Sequence, residues 1–162
     1  MLRQFAALCF TALLASAPAL AQDASEIARV KGGEPCEGCN LFQADMSFSV
    51  LKNTKVANSR LRQSNMSLAI MDGSDFRNTN LSVANLFGAR LTGANFTRSN
   101  LQRATLVGAH LGGADLTGAD LTDANLSGAE LDTAKGLTQD QLSVACGDRY
   151  TRLPEGFTIP QC

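Results

Sequence analysis

From Cys39 to Thr133 the chain repeats a five-residue pattern without one insertion or deletion. A large apolar residue stands at every fifth position, starting at Leu41, Met46, Leu51 and Val56 and running unbroken to Leu131. Of these nineteen centres thirteen are Leu, three Met, two Phe and one Val. Two residues ahead of each centre stands a small one: eleven Ala, five Ser, two Thr and Cys39. A period of five is neither the 3.6 of a helix nor the 2 of a strand. It resolves if each unit is a very short strand followed by a corner. Small, polar and large residues in succession then point in, out and in, which is strand alternation over three positions. The two remaining positions, as in Thr117-Gly118 or Ser127-Gly128, are polar or glycine and suit a turn. Corners of about a right angle close a coil every four units. Residues twenty apart then stack as parallel strands, and each repeat buries its apolar side only against its neighbours.

The segment Ala114-Asp115-Leu116-Thr117-Gly118-Ala119-Asp120-Leu121 shows the unit at its plainest. It is similar to the A-(D/N)-L-x-x motif of the pentapeptide repeat family, and the resemblance covers residues 39–133. It implies an all-β fold, a right-handed quadrilateral β-helix with four repeats per coil. Nineteen repeats would make about 4.75 coils and a column of roughly 23 Å at about 4.8 Å per strand spacing. Ser49-Val50-Leu51 and Thr54-Lys55-Val56 lack both the Ala and the Asp or Asn, so those early coils are expected to be less regular.

The open ends of such a column expose unpaired strand edges and need covering. In front of the repeats, residues 22–38 form an N-terminal segment in which Asp23–Val30 suits a short capping helix. Behind them, Gly136 falls where the next centre should stand, and the repeat ends. Thr138 with Gln141 reads as a capping box and Leu137 with Leu142 as the matching hydrophobic staple. They predict a short α-helical cap over 139–145 ending near Gly147, within a C-terminal segment 134–162. Tyr150, Leu153, Phe157 and Ile159 supply apolar surface to cover the last coil.

The first residues have a different character. Arg3 is the only charge before Asp23 and precedes the apolar run Phe5–Leu14; Pro18 and Ala19-Leu20-Ala21 follow. A charged start, a short apolar core and small residues at a cleavage position read as a secretory signal, with cleavage after Ala21. The run is short for an anchor that must span about 30 Å of hydrocarbon. The expectation is a periplasmic or secreted protein with no membrane span, folding in an oxidising compartment.

Loss of Cys9 with that segment leaves Cys36, Cys39, Cys146 and Cys162, an even set. In an exported small protein these read first as two disulfides, with Cys36–Cys39 and Cys146–Cys162 expected. Cys36-Glu37-Gly38-Cys39 also has the spacing of a redox C-x-x-C or of half a zinc site. The first wants a βαβ context and the second another close pair, and the sequence supplies neither.

Composition narrows function further. With 14 basic and 15 acidic residues the formal charge is −1, which fits neither a general nucleic-acid binder nor a strongly acidic DNA mimic. No Trp, one Tyr and one His leave little for stacking or acid–base work, so no catalysis and no cofactor or metal are expected. His110 would stack between Arg90 and Glu130, and reads as half of a surface ion pair. Asn58 with Asn78, and Asn80 with Asn100, should form amide ladders. Residues 52–103 carry a local excess of basic groups and residues 115–132 an acidic one, a distribution consistent with ordinary solvation or with an anionic ligand.

Outward positions near one corner are apolar: Phe48 under Leu68, Val50 under Ile70, Phe87 under Val107. A contiguous apolar patch marks a partner surface, unless residues 22–35, with Ile27 and Val30, fold back over it. The expected function is a non-catalytic exported interaction or scaffold module in the bacterial envelope, with a second copy or another protein as partner. A thiol–disulfide redox protein using Cys36 and Cys39 is the reading from a different class. Some relatives of the implied family act as DNA mimics that inhibit topoisomerases, a role that export from the cytoplasm disfavours.

Overall fold

The computed structural model describes residues 22–162, and the secretory signal read in residues 1–21 lies outside them. The repeats coil as the period requires. Single-residue parallel bridges join positions twenty apart, from Asn40 with Arg60 through Asn80 with Asn100 to Asp115 with Lys135. Each bridging residue sits between two inward-facing ones and ties its coil to the next. Arg60, for example, donates its N–H to the Cys39 carbonyl at 2.8 Å and accepts from the Leu41 N–H at 2.8 Å. Four sides of five residues therefore make one coil, and the backbone polar groups are paired between coils as in a parallel sheet.

The corners have one geometry whatever residue occupies them. Two positions after each centre, from Gln43 to Gly128, φ is positive; seven of these residues are Gly and eleven are not. The next small residue usually closes the corner by donating back to the centre, as Ala44 N–H does to the Leu41 carbonyl at 3.1 Å. Asn and Asp accept the left-handed region easily, whereas Phe48, Leu68 and the β-branched Val83 hold it at a cost.

All nineteen centres are buried, from Leu41 to Leu131. Phe76 and Phe96 stack in adjacent coils with ring centroids 5.0 Å apart and planes 5° from parallel. At the small inward positions the hydroxyls are satisfied on carbonyls: Thr54 donates to Leu51, Ser64 to Leu61 and Thr79 to Phe76. Ser99 Oγ is buried with no hydrogen-bond partner. The early coils keep the frame, with Val50 bridging Ile70 and Lys55 bridging Asp75. Their departure from the motif shows only in detail. Ser49 is half-buried, and Thr54 N–H bonds to Ser74 Oγ in the next coil at 3.2 Å.

Helix α1 runs Ala24–Lys31, with Asp23 as N-cap accepting from Ser25 and Glu26. Val30 is fully buried, and Ile27 packs on the same core. Glu26 also accepts from Asn40 N–H at 2.6 Å, tying the helix to the first coil. Helix α2 runs Gln139–Ser143, shorter than the expected 139–145, because Val144 leaves it as C-cap. The Thr138–Gln141 capping box is formed. Gln141 reaches on to the Leu116 and Ala119 carbonyls at 2.9 and 2.8 Å.

Beyond α2 the five-residue frame slips. Asn125 pairs with Cys146 and Glu130 with Arg152, so the tail continues the column with extra residues at its corners. Leu153, Phe157 and Ile159 pack on the core. Tyr150 does not: its ring is exposed, with the Arg149 guanidinium 4.9 Å from its centroid. An aromatic with a polar edge is stable at the surface beside a cation.

Candidate interaction surface

Outward side chains occupy vertical columns twenty residues apart. One corner column reads Phe48, Leu68, Gly88, Gly108, Gly128, and the position before it reads Ser47, Ser67, Phe87, Val107, Ser127. On the adjoining face stand Val50, Ile70, Arg90, His110 and Glu130, linked in that order by parallel bridges. The structure thus gathers all six apolar residues singled out from the sequence at one corner. Phe48 is 72% exposed, Val50 66%, Phe87 47% and Leu68 45%, while Ile70 and Val107 are half-buried between their neighbours. The described N-terminal residues do not cover this corner, since α1 spends its apolar side on the end of the core.

Two features distinguish this patch from scattered surface apolar residues. It runs through four successive coils, at Phe48, Leu68, Phe87 and Val107, and two of its exposed side chains, Phe48 and Leu68, stand on left-handed residues at φ 57°. Asn or Gly would relieve the backbone at either position and remove apolar surface from water. Neither feature stabilises the fold.

The face beside it is polar and internally paired. Arg90 binds Asp72 through Nε at 2.8 Å and Nη2 at 2.7 Å, instead of stacking with His110 as a charged pair. His110 Nδ1 meets Glu130 Oε2 at 2.9 Å, and Glu130 and Asp132 share Arg152. The hydrogen bond from His110 is the main influence holding Glu130 below the usual carboxylate range. Elsewhere, the hydrogen bond from Arg77 lowers Asp75 in the same way. The amide ladders are only partly as expected. Asn78 donates to Asn58 at 3.1 Å, but Asn80 and Asn100 turn their oxygens onto Ser82 and Gln102 two residues on. A further ladder of residues twenty apart runs from Asp45 through Asn65 to Asn85.

Both expected cystine pairs are bonded, Cys36 with Cys39 and Cys146 with Cys162. Cys36 and Cys39 are 1% and 4% exposed under α1, which removes the access that thiol exchange requires. Glu26 stands with them within 4.8 Å, yet a bonded pair offers no thiolate to a metal. Cys162, by contrast, is exposed. Under a mild thiol reductant, alkylation followed by mass spectrometry should find Cys146 and Cys162 labelled first. A first adduct at Cys36 or Cys39 would show that the N-terminal pair is the labile one.

Against known proteins, a family model for pentapeptide repeats matches eight copies, over residues 44–82, 71–103 and 99–135. The chain belongs to the pentapeptide repeat family. Membership carries the family's right-handed quadrilateral β-helix, and pentapeptide repeat proteins are generally non-catalytic. Among solved structures it is similar to a pentapeptide repeat protein, Rfr23, from the cyanobacterium Cyanothece 51142. That match has 26% identity and TM-score 0.45, covering 80% of this chain and 97% of the other. A pentapeptide repeat protein of the Arabidopsis thaliana thylakoid lumen is 31% identical with TM-score 0.37, covering 70% of this chain and 81% of its own. QnrB1, a plasmid-mediated fluoroquinolone resistance protein, is 20% identical with TM-score 0.35, over 73% of this chain and 84% of the other. No curated protein matches the sequence significantly. Among the described residues no helix is long and apolar enough to cross a membrane.

Proposed function

We propose that this pentapeptide repeat protein is an exported, non-catalytic module that presents a rigid binding surface to a protein partner in the bacterial envelope. The observation that carries the reading is the apolar corner: Phe48, Val50, Leu68 and Phe87 stay exposed, two of them on strained turns. An uncovered patch that costs the free chain stability on both counts is kept for what it binds. The solenoid supplies rigidity, because every coil is hydrogen-bonded to the next along its length. Export rests on the Arg3 and Phe5–Leu14 pattern with its small-residue end at Ala21, and two disulfides fit an oxidising compartment.

Two measurements in expressing cells test this. The envelope fraction should contain a chain that begins at Gln22; full-length chain confined to the cytoplasm would overturn the export half. A photo-crosslinking residue in place of Phe87 should yield adducts of discrete mass, lost on adding Phe48→Asp. The same probe at Asn78, on a different corner, should yield none. Absence of adducts at Phe87, or equal adducts at both positions, would overturn the binding half.

A further inference from the structure

We propose that the partner at the apolar corner is a second copy of this chain, running antiparallel and related by a twofold axis between the coils of Leu68 and Gly88. This rests on the reading of that corner as a binding surface and names its occupant. The corner column is bulky at one end and bare at the other: Phe48 and Leu68, then Gly88, Gly108 and Gly128. Leu68 already leans over Gly88, since a Cβ added there would stand 2.7 Å from Leu68 Cδ2. At Gly108 the corresponding space is open, with no heavy atom beyond its own chain neighbours within 4 Å of a Cβ placed there. The sequence of shapes along the corner is therefore a knob at Phe48, a filled middle at Leu68, and a hollow over Gly108 beside Phe87 and Val107.

Such a profile is its own complement only when reversed. A parallel second copy sets Phe48 on Phe48 and leaves both hollows empty. An antiparallel copy places each Phe48 ring over the other's Gly108, against Phe87 and Val107, while the two Leu68 side chains meet near the axis. That is the isologous relation in which residue i contacts j and j contacts i.

The flanks tolerate the same register. Counting coils from the axis brings Asn65 opposite Asn85 of the second copy, and Asp45 opposite Thr105, on one side. On the other, Ile70 faces Arg90, whose guanidinium is already held by Asp72, so its aliphatic stem is left to make the contact. No like charges stand directly opposite one another on these two faces. The contact spans about four coils, roughly 20 Å, and falls in the small class of interfaces whose association depends visibly on concentration.

Cysteine pairing with the purified oxidised protein tests the register. Phe48→Cys and Gly108→Cys are made separately, and disulfide-linked dimer is measured for each alone and for an equimolar mixture. The mixture keeps one native Phe48–Gly108 contact per dimer and should cross-link at least tenfold more than either variant alone. Preferential cross-linking of Phe48→Cys with itself would overturn the antiparallel arrangement. No cross-link in any sample would overturn the dimer. In parallel, sedimentation of the parent chain should show a concentration-dependent dimer that Phe48→Asp abolishes. Phe48→Asp should fold unchanged, because an exposed left-handed position accepts Asp. A parent chain that stays monomeric at every concentration, or that binds anionic lipid vesicles as a monomer, overturns the proposal. Cellular adducts at Phe87 with a different protein and none at twice the chain mass would overturn this inference while leaving the proposed function standing.

Discussion

Truncating Phe76 to Ala should destabilise the fold by about 3–5 kcal/mol, the range for removing a buried aromatic. The site has little means of closing the cavity. Each coil is held in place by hydrogen bonds above and below it, Phe76 N–H to the Asn95 carbonyl at 2.8 Å on one side and Asp75 N–H to the Thr54 carbonyl at 2.8 Å on the other. The facing ring of Phe96, stacked 5.0 Å away, loses its partner and keeps a void on one side. Surrounding Leu and Ala side chains cannot move inward without breaking the inter-coil ladder. Denaturant unfolding of oxidised Phe76→Ala beside the parent chain checks the value. A loss below about 1 kcal/mol would mean that the coil collapses around the void. The Phe96→Ala variant and the double variant then measure the ring pair itself, with a coupling of about 0.5–1.5 kcal/mol expected beyond simple burial.

Replacing Cys146 and Cys162 together by Ser should cost about 3 kcal/mol, the value the chain-entropy model assigns to a loop of about 15 residues. The two are sixteen apart in sequence. What the bond retains is the last part of the tail. Residues 153–162 are half-buried at best, and their hydrogen bonds run mainly to Gly147 and to the Gln139 side chain. Without the cross-link this stretch should fray before the repeats, since a solenoid loses structure from its ends. Limited proteolysis should cut within 153–161 in the double Ser variant and spare the oxidised parent. Equal resistance in both would show that Leu153, Phe157 and Ile159 hold the tail without the disulfide.

Membership in the pentapeptide repeat family places these effects in a fold whose core at every level is filled by the inward side chains of a single coil. A damaged coil has only two neighbours to lean on. The same economy explains the surface: with inward positions assigned by the period, the outward columns are free to differ from one protein to another. Here that freedom produces an apolar corner on one side and a paired, charged column through Arg90, His110 and Glu130 on the next.

Much of this was legible in the sequence because the frame never breaks between Cys39 and Thr133. Where period alone decides burial, each Leu or Phe centre and each small residue is placed by counting. Stacking follows by adding twenty, which is how Phe48, Leu68 and Phe87 fall together before any coordinates are known. The capping box at Thr138 was readable too, since its bonds are local to one turn. Counting fails where the physics is not local or not vertical. Arg90 reaches sideways to Asp72, eighteen residues away, because its length lets it leave its own column. Asn80 Oδ1 accepts from Ser82 and not from Asn100, whereas Asn65 accepts from Ser67 and also bonds Asp45 and Asn85, so counting alone does not say which stacked pairs close a ladder. The tail slips out of frame at Cys146 and Arg152 because corners outside the repeat take extra residues. Above all, only the tertiary structure decided that α1 lies on the end of the column and leaves the corner bare. The exposed edge of the first coil offers Val30 a complete apolar socket, and a short helix with few apolar residues can cover one such surface, not two.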